Sequence, residues 1–253
     1  MTTPGPDAEL RAAATMVFVD DLASPGLGDD DAHHLGDVLR LKSGEAVAAA
    51  DGAGSWVMCT LTAPEHPARG EEMGRKAKNR RPGLEVAGPV RHVDRPSPLL
   101  EVGFSWAKSD RTEWAVAKLV ELGIDLLTPL VADRTVVRPD RAGTTRQERL
   151  SKIIRESAMQ SRRPFLPTIG ATQSVDEVIR RASGTQVALA EPGGDPLSLE
   201  SPIVLVGPEG GWSPRELRLV AKHVSIGDGV LRIETAALAA GTILAALRSG
   251  AVA

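Results

Sequence analysis

The sequence is poor in cysteine and in aromatic residues. Its 253 residues include a single cysteine, Cys59, no tyrosine, 3 phenylalanines and 4 tryptophans. A lone cysteine excludes an internal disulfide and a cysteine-based zinc site, and it is typical of a reducing cytoplasm. The scarcity of aromatic side chains also excludes an extended stacking surface for nucleic-acid bases.

The sequence also lacks long apolar runs and a strong excess of charge. No stretch approaches the roughly 18 consecutive apolar residues of a transmembrane helix, and residues 1–15 lack the apolar core of a signal peptide. We therefore expect a cytoplasmic protein that begins with a disordered tail at residues 1–15. The net charge of −3 excludes a bulk polycation, so any RNA binding must use a local basic patch.

The order of the short apolar runs predicts two domains. Short β-rich pieces, such as residues 46–50 and 55–61, occupy the chain up to residue 95. Prolines at 96 and 98 mark a boundary, after which strands and helices alternate as in a parallel sheet covered by helices. Helices are expected at residues 31–40 and 145–161, the second with Thr145 and Glu148 as its capping box.

Residues 66–82 form the most polar stretch. They contain six Lys or Arg residues and two Glu, a local charge of +4, with no hydrophobic period. We expect a flexible basic loop here. It would be either a solvated linker or a phosphate-binding arm.

A glycine-rich break at residues 207–211 is the strongest candidate site. The apolar run 203–206 suits a strand buried on both faces, and Ser213-Pro214-Arg215-Glu216 predicts a helix start with a capping box. Ligands bind at this end of a strand in an open α/β sheet, although a tight strand-to-helix turn would use the same residues. Glu209 and the absence of Gly-Lys-Ser/Thr argue against a phosphate-binding P-loop.

Two motifs in this region resemble a known family. Gly-Pro-Glu-Gly-Gly-Trp-Ser at 207–213, followed by Leu-Arg-Ile-Glu-Thr-Ala at 231–236, is similar to the signature pair of the ribosomal RNA small subunit methyltransferase E family. Those enzymes use S-adenosylmethionine to methylate N3 of a uridine in 16S ribosomal RNA, and they belong to the SPOUT superfamily of knotted methyltransferases. The resemblance extends over residues 16–248.

The resemblance implies a fold, an assembly and a partner. Residues 96–253 would form a SPOUT-type α/β methyltransferase domain with a parallel sheet and a trefoil knot. Residues 16–95 would form a PUA-like β-barrel domain that binds RNA. SPOUT enzymes are typically homodimers with active sites at the subunit interface, so a homodimer is expected, with 16S ribosomal RNA or the small ribosomal subunit as its partner.

By the same resemblance, three loops near the C-terminus hold S-adenosylmethionine, and no metal is expected. Glycine-rich loops suit this ligand because backbone groups can approach it closely. The residues expected to bind the cofactor are Leu189, Ala190, Glu191, Val206, Gly207, Pro208, Glu209, Gly210, Gly211, Ile226, Gly227, Val230, Leu231, Thr235 and Ala236.

Methylation of N3 of uracil requires removal of an imide proton. A cation that stabilises the developing uracil anion, or a general base, would accelerate the reaction. We expect Arg232 to be that cation, although it could instead hold the C-terminal loop by hydrogen bonds to carbonyl groups. Glu209 and Glu234 are the candidate bases if burial raises their pKa, and Glu209 could instead cap backbone donors in its own loop.

Candidate RNA contacts are basic and amide side chains, because phosphates need donors and positive charge. Residues 155–164 and the Ala-Lys-Ser-Asp-Arg at 107–111 match further motifs of the family. Cations at 162–163 could equally complement a helix dipole. The candidate set is Arg40, Lys42, Lys108, Arg111, Arg134, Gln160, Ser161, Arg162 and Arg163.

Two other functions remain open on the sequence alone. One is a SPOUT methyltransferase that modifies a different RNA base or a ribose 2′-oxygen. The other is a non-catalytic RNA-binding or ribosome assembly factor that kept the fold. Intact Glu209, Gly210, Gly211 and Arg232 argue against the second.

Overall fold

The computed structural model describes residues 6–62, 82–106, 109–136, 143–182 and 186–252. The chain divides after Arg95 into two compact units. The first unit contains Met1–Arg95 and also Met159–Phe165, and the second contains Pro96–Ala158 and Leu166–Ala253.

A five-stranded sheet forms the body of the first unit. The strands follow the order β1-β2-β3-β4, with β5 paired to β3, and the β2–β3 hairpin is antiparallel. The turn between β2 and β3 contains Gly52 and Gly54, which both have positive φ. Trp56 and Met16 are fully buried in the core. The strands are β1 (Thr15–Phe18), β2 (Ala46–Ala50), β3 (Ser55–Thr62), β4 (Gly83–Val86) and β5 (Arg91–His92).

The helical parts of the first unit differ from prediction. Residues 6–15 are not disordered, because α1 (Pro6–Ala12) buries Leu10 and residues from Thr15 enter β1. The predicted helix at 31–40 begins earlier, as α2 (Asp29–His33), and continues as a π-helical turn over His34–Val38. It ends before Arg40, whose φ of 54° is incompatible with a right-handed helix.

The second unit contains a six-stranded sheet with the order β11-β9-β10-β6-β7-β8. All of its strand pairs are parallel, which confirms the predicted α/β class. The strands are β6 (Glu101–Ser105), β7 (Leu126–Leu130), β8 (Thr168–Ile169), β9 (Val187–Pro196), β10 (Ile203–Val206) and β11 (Lys222–Ser225). The helices are α3 (Ser109–Leu122), α4 (Gly143–Gln160), α5 (Val175–Arg181), α6 (Pro214–Leu219) and α7 (Ile233–Ser249).

Local sequence signals explain β10 and α6. All four residues of β10 are buried, because the strand lies between β9 and β6. Ser213 caps α6 in a complete capping box with Glu216, which confirms that prediction. The capping box predicted at Thr145 is wrong. Helix α4 begins at Gly143, so Thr145 lies inside its first turn.

No helix among the described residues is both long enough and apolar enough to cross a membrane.

Candidate functional site

One edge of the second unit's sheet carries a cavity of about 470 Å³. Because the strands are parallel, the loops that follow β10 and β11 emerge at the same edge, here called the carboxyl edge. This volume falls in the usual range for a small-molecule site, about 300–1,000 Å³. The lining residues are Ala190, Glu191, Pro192, Val206, Gly207, Pro208, Glu209, Gly210, Gly211, Trp212, Ile226, Gly227, Gly229, Val230, Leu231, Arg232 and Ala236.

A bulge in β9 supplies one wall of the cavity. The register with β11 jumps from His223 opposite Leu189 to Val224 opposite Asp195. The residues skipped by this jump leave the regular ladder, as in a bulged strand. They include Ala190, Glu191 and Pro192, which therefore line the cavity instead of pairing with β11.

The glycine loop, defined as residues 207–212, supplies the floor. The Gly211 N–H donates to the Pro208 carbonyl at 2.8 Å and closes a tight turn, with Gly211 at a positive φ of 70°. A Cβ at Gly207 would lie 2.9 Å from the Trp212 indole. The indole Nε1 of Trp212 donates to the Ala190 carbonyl at 3.0 Å and so joins this loop to the bulge of β9.

Charged residues hold the helix that follows the glycine loop. The Ser213 hydroxyl donates to Asp133 Oδ2 at 2.5 Å, and the Asp133 N–H donates to Glu216 Oε1 at 2.9 Å. The Arg215 guanidinium bridges Asp133 and Asp176, with N–O distances of 2.9 Å to each. Hydrogen bonds from Arg215 and then Ser213 hold the pKa of Asp133 below its usual value. Hydrogen bonds to Asp133 and then Asp176 raise the pKa of Arg215.

Arg232 stands at the opening of the cavity. It is the N-cap residue of α7, and its carbonyl accepts the Ala236 N–H at 2.8 Å. Its side chain is exposed and lines the cavity, and it hydrogen-bonds to no group in the described parts of the chain. The alternative role, an arginine that pins the C-terminal loop through carbonyl groups, is therefore not the one that the structure shows.

The two carboxylates expected near Arg232 lie in different environments. Glu209 lines the cavity and is exposed, so the burial that a base role depended on is absent. Its carboxylate caps no backbone donor among the described residues, contrary to the alternative role. Glu234 does not line the cavity; it faces Arg111 of α3 with an N–O distance of 3.6 Å.

The structure brings together 13 of the 15 residues expected to bind the cofactor. The exceptions are Leu189, which is buried in the core, and Thr235, which is exposed away from the cavity. Three further residues line the cavity although they are not in the set predicted to bind the cofactor: Pro192, Trp212 and Gly229. Each lies within or beside one of the predicted loops, so proximity in sequence could have indicated them.

Two candidate RNA contacts of the second unit, Arg134 and Arg111, lie among the described residues. Arg134, in the loop after β7, donates from Nη1 to the Gly210 carbonyl at 3.0 Å. Arg111 reaches the first turn of α7 through Glu234. Lys108 lies outside the described residues, as do residues 66–81 of the predicted basic loop.

The candidate RNA contacts of the first unit differ in exposure and in bonding. Arg40, Lys42 and Gln160 are exposed, and Ser161 and Arg163 are half-buried with partners of their own. Arg162 was predicted to contact RNA, but its guanidinium instead binds carbonyl groups of the protein itself. It donates to the carbonyls of Ala13 at 2.9 Å, Ala14 at 3.0 Å and Gln160 at 3.1 Å, which fixes residues 159–165 against the start of β1.

The two neighbouring histidines, His33 and His34, have different surroundings. His33 Nδ1 lies 2.7 Å from Asp37 Oδ2 in an exposed pair, and His34 is half-buried. Among the described residues no group of three or more His, Cys, Asp or Glu side chains could hold a metal ion.

Comparison with known proteins gives matches over both units. A family model described as the RNA methyltransferase domain matches residues 95–245, and one described as the RNA methyltransferase PUA domain matches residues 27–68. A protein of Mycobacterium bovis named ribosomal RNA small subunit methyltransferase E is 29% identical over 248 residues, spanning 90% of this chain and 89% of its own. A Synechocystis protein of the same name is 27% identical and spans 81% of this chain and 67% of its own.

A solved structure is similar over nearly the whole chain. The crystal structure of a ribosomal RNA small subunit methyltransferase E from Neisseria gonorrhoeae, bound to S-adenosylmethionine, aligns with a TM-score of 0.72. It is 26% identical and covers 92% of this chain and 97% of that one.

Proposed function

Because the chain belongs to the RNA methyltransferase family, among the ribosomal RNA small subunit methyltransferase E proteins, we propose that it methylates N3 of a specific uridine in 16S ribosomal RNA with S-adenosylmethionine as the donor. The observation that supports this best is the cavity at the carboxyl edge. It is built from the loops that carry the two signature motifs, and an exposed arginine lies at its opening.

The cavity suits S-adenosylmethionine in size and in chemistry. Its glycine loop brings backbone groups to the surface without side chains, which allows a ligand to approach the main chain. The carboxylates of Glu191 and Glu209 lie in its lining and favour a cationic ligand. When bound, S-adenosylmethionine would supply an electrophilic methyl group carried by a sulfonium.

The proposed role of Arg232 is to stabilise the uracil anion. Loss of the N3 proton leaves negative charge on the imide, and a fixed guanidinium beside the methyl donor lowers the energy of that state. The guanidinium hydrogen-bonds to no described residue and is therefore available. Neither carboxylate is assigned as the base, because Glu209 is exposed and Glu234 faces Arg111, so the imide proton passes to a base in the solvent.

We assign RNA binding to the predicted domain at residues 16–95, on the basis of the match to an RNA methyltransferase PUA domain. Arg40 and Lys42 are exposed and follow the π-helical turn, so they can donate to phosphates. Arg111 and Arg134 are the corresponding candidates in the predicted methyltransferase domain at residues 96–253. We also infer a trefoil knot, a homodimer and a cytoplasmic location from the family resemblance.

The proposal is tested by mapping methylated nucleosides by mass. Small ribosomal subunits from a strain that lacks the gene are incubated with purified protein and labelled S-adenosylmethionine, and the 16S ribosomal RNA is digested to nucleosides. We expect labelled 3-methyluridine among the nucleosides, with far less of it at the same incubation time from an Arg232→Ala control. A 2′-O-methylated or differently methylated base would reassign the substrate, and a protein that fails to bind S-adenosylmethionine in calorimetry would be a non-catalytic factor.

A further inference from the structure

Arg134 joins the loop after β7 to the cavity. Its Nη1 donates to the Gly210 carbonyl at 3.0 Å, and its own Cβ lies 3.4 Å from the position that a Gly210 Cβ would occupy. Gly210 is part of the cavity lining. The side chain of Arg134 therefore rests directly against the glycine loop.

Most of the guanidinium of Arg134 faces solvent. The residue is exposed, and the bond to Gly210 is its one hydrogen bond to a described residue. A guanidinium carries several N–H donors in a planar fork, and that fork matches the geometry of a phosphate. One side chain can thus hold the cavity loop and bind an anion from solution at the same time.

Hydrogen bonds anchor the residues beside Arg134. The neighbouring residue Asp133 is bound through both carboxylate oxygens, to Ser213 and to Arg215. The next residues form a closed turn, in which the Ala132 N–H donates to Thr135 Oγ1 at 2.8 Å. Because Asp133 is bonded to the helix that follows the glycine loop, and Arg134 to Gly210, a ligand that fixes the Arg134 guanidinium would also restrict the Gly210 carbonyl.

We propose that Arg134 couples the binding of RNA to the binding of the methyl donor. This inference rests on the proposed function, since it assumes that the cavity binds S-adenosylmethionine and that the acceptor is RNA. A phosphate held by the solvent-facing donors fixes the guanidinium, and the fixed guanidinium holds the Gly210 carbonyl and the glycine loop in one position. Each ligand then raises the affinity for the other by the same factor, as thermodynamic linkage requires.

The coupling is measured with S-adenosylhomocysteine, the demethylated product, so that no reaction occurs during the experiment. Equilibrium dialysis with the labelled compound gives its dissociation constant in the absence and presence of unmethylated small ribosomal subunits. We expect the subunits to raise the affinity of the wild-type protein by about 5-fold or more, at the lower end of typical coupling energies.

The decisive variant is Arg134→Met, which keeps most of the side-chain length and removes every donor. We expect its coupling factor to fall below about 2, which corresponds to less than a typical coupling energy. Arg218→Met is the matched control, since Arg218 is an exposed arginine of α6 that contacts no charged group among the described residues. Its coupling factor is expected to equal that of the wild-type protein.

Two results would overturn the inference. The first is a wild-type protein that binds both ligands independently. The second is an Arg134→Met protein with undiminished coupling; if its cofactor affinity were also lower by the same factor with and without subunits, Arg134 would be a structural support only. Neither result affects the appearance of 3-methyluridine in the assay above, so the coupling and the proposed reaction fail separately.

Discussion

The two ends of helix α7 carry arginines in opposite situations. Arg232 begins the helix at the carboxyl edge of the sheet, where its side chain is exposed and hydrogen-bonds to no described residue. Arg248 lies in the last turn, at the opposite edge, where its side chain is 12% exposed and meets the Asp125 carboxylate at 2.5 Å. It also donates to the carbonyls of Gly123 at 2.7 Å and Pro98 at 3.3 Å.

This difference separates a stabilising arginine from the arginine that we propose acts in the reaction. At the buried end, the charge of Arg248 is matched by acceptors that come from the starts of β6 and β7, so it fixes the helix to the sheet. At the open end, a charge with no hydrogen-bond partner among the described residues contributes little to folding and remains available to a ligand. An arginine that is fully used by the protein has no donors left for chemistry.

The largest effect is expected at the buried end. Arg248→Met leaves the Asp125 carboxylate, which is 3% exposed, without its counter-charge. Removing one partner of a buried ion pair typically costs about 3–5 kcal/mol of unfolding free energy. Urea denaturation followed by tryptophan fluorescence measures this loss, and the fraction that remains folded should bind S-adenosylhomocysteine normally. An unchanged unfolding free energy would mean that this end of the helix is no more important for stability than the other.

The next effect is expected at the open end, on rate and not on stability. Arg232→Ala should lower the single-turnover rate at saturating cofactor by about 10²- to 10³-fold, the usual cost of losing an electrostatic stabiliser. Its melting temperature should match the wild-type value, because no side-chain hydrogen bond or ion pair with a described residue is lost. Part of the rate should return at higher pH, where more uracil ionises without help.

A near-normal rate in a folded Arg232→Ala protein would remove Arg232 from the reaction. A fall in melting temperature and in cofactor affinity together would show that Arg232 supports the C-terminal loops. Arg232→Lys keeps the charge and should keep part of the rate, which separates the loss of charge from the loss of shape.

The sequence predicted the elements at the carboxyl edge better than the long-range contacts, because the patterns that mark those elements lie in neighbouring residues. Ser213 and Glu216 are three residues apart, and the buried strand β10 directly precedes the glycine loop, so these features follow from neighbouring residues. The contact of Arg248 with Asp125 joins positions 123 residues apart, and that of Arg162 with Ala13 joins positions 149 apart. No periodicity or capping rule relates such positions, so the sequence could not distinguish a structural arginine from one that contacts RNA.

Short elements held by tertiary contacts were missed for the same reason. Helix α1 forms because Leu10 packs into the core, with 4% of its surface exposed, and no local pattern marked that residue as buried. Helix α5 was overlooked although Ser174 and Glu177 form the same capping box as Ser213 and Glu216. There the signal was present, and a search for capping boxes along the whole chain would have found it.

The smallest effect is expected for an arginine–aspartate pair that resembles Arg248–Asp125 in chemistry but is exposed. Asp133 and Arg215 lie 2.9 Å apart with side chains that are 38% and 49% exposed. Water screens such a pair, so Asp133→Asn should cost only about 0.2–1 kcal/mol at neutral pH.

The pKa of Asp133 is lowered in the folded protein, so the ionised carboxylate stabilises the fold at all pH values above the ordinary aspartate pKa of about 3.9. That contribution disappears as the pH falls through the lowered folded-state pKa, because the carboxylate is then protonated. Urea denaturation of the wild-type and Asp133→Asn proteins should therefore differ slightly at neutral pH and converge in acid. A loss as large as that of Arg248→Met, or a difference that grows in acid, would show that burial is not what distinguishes the two pairs.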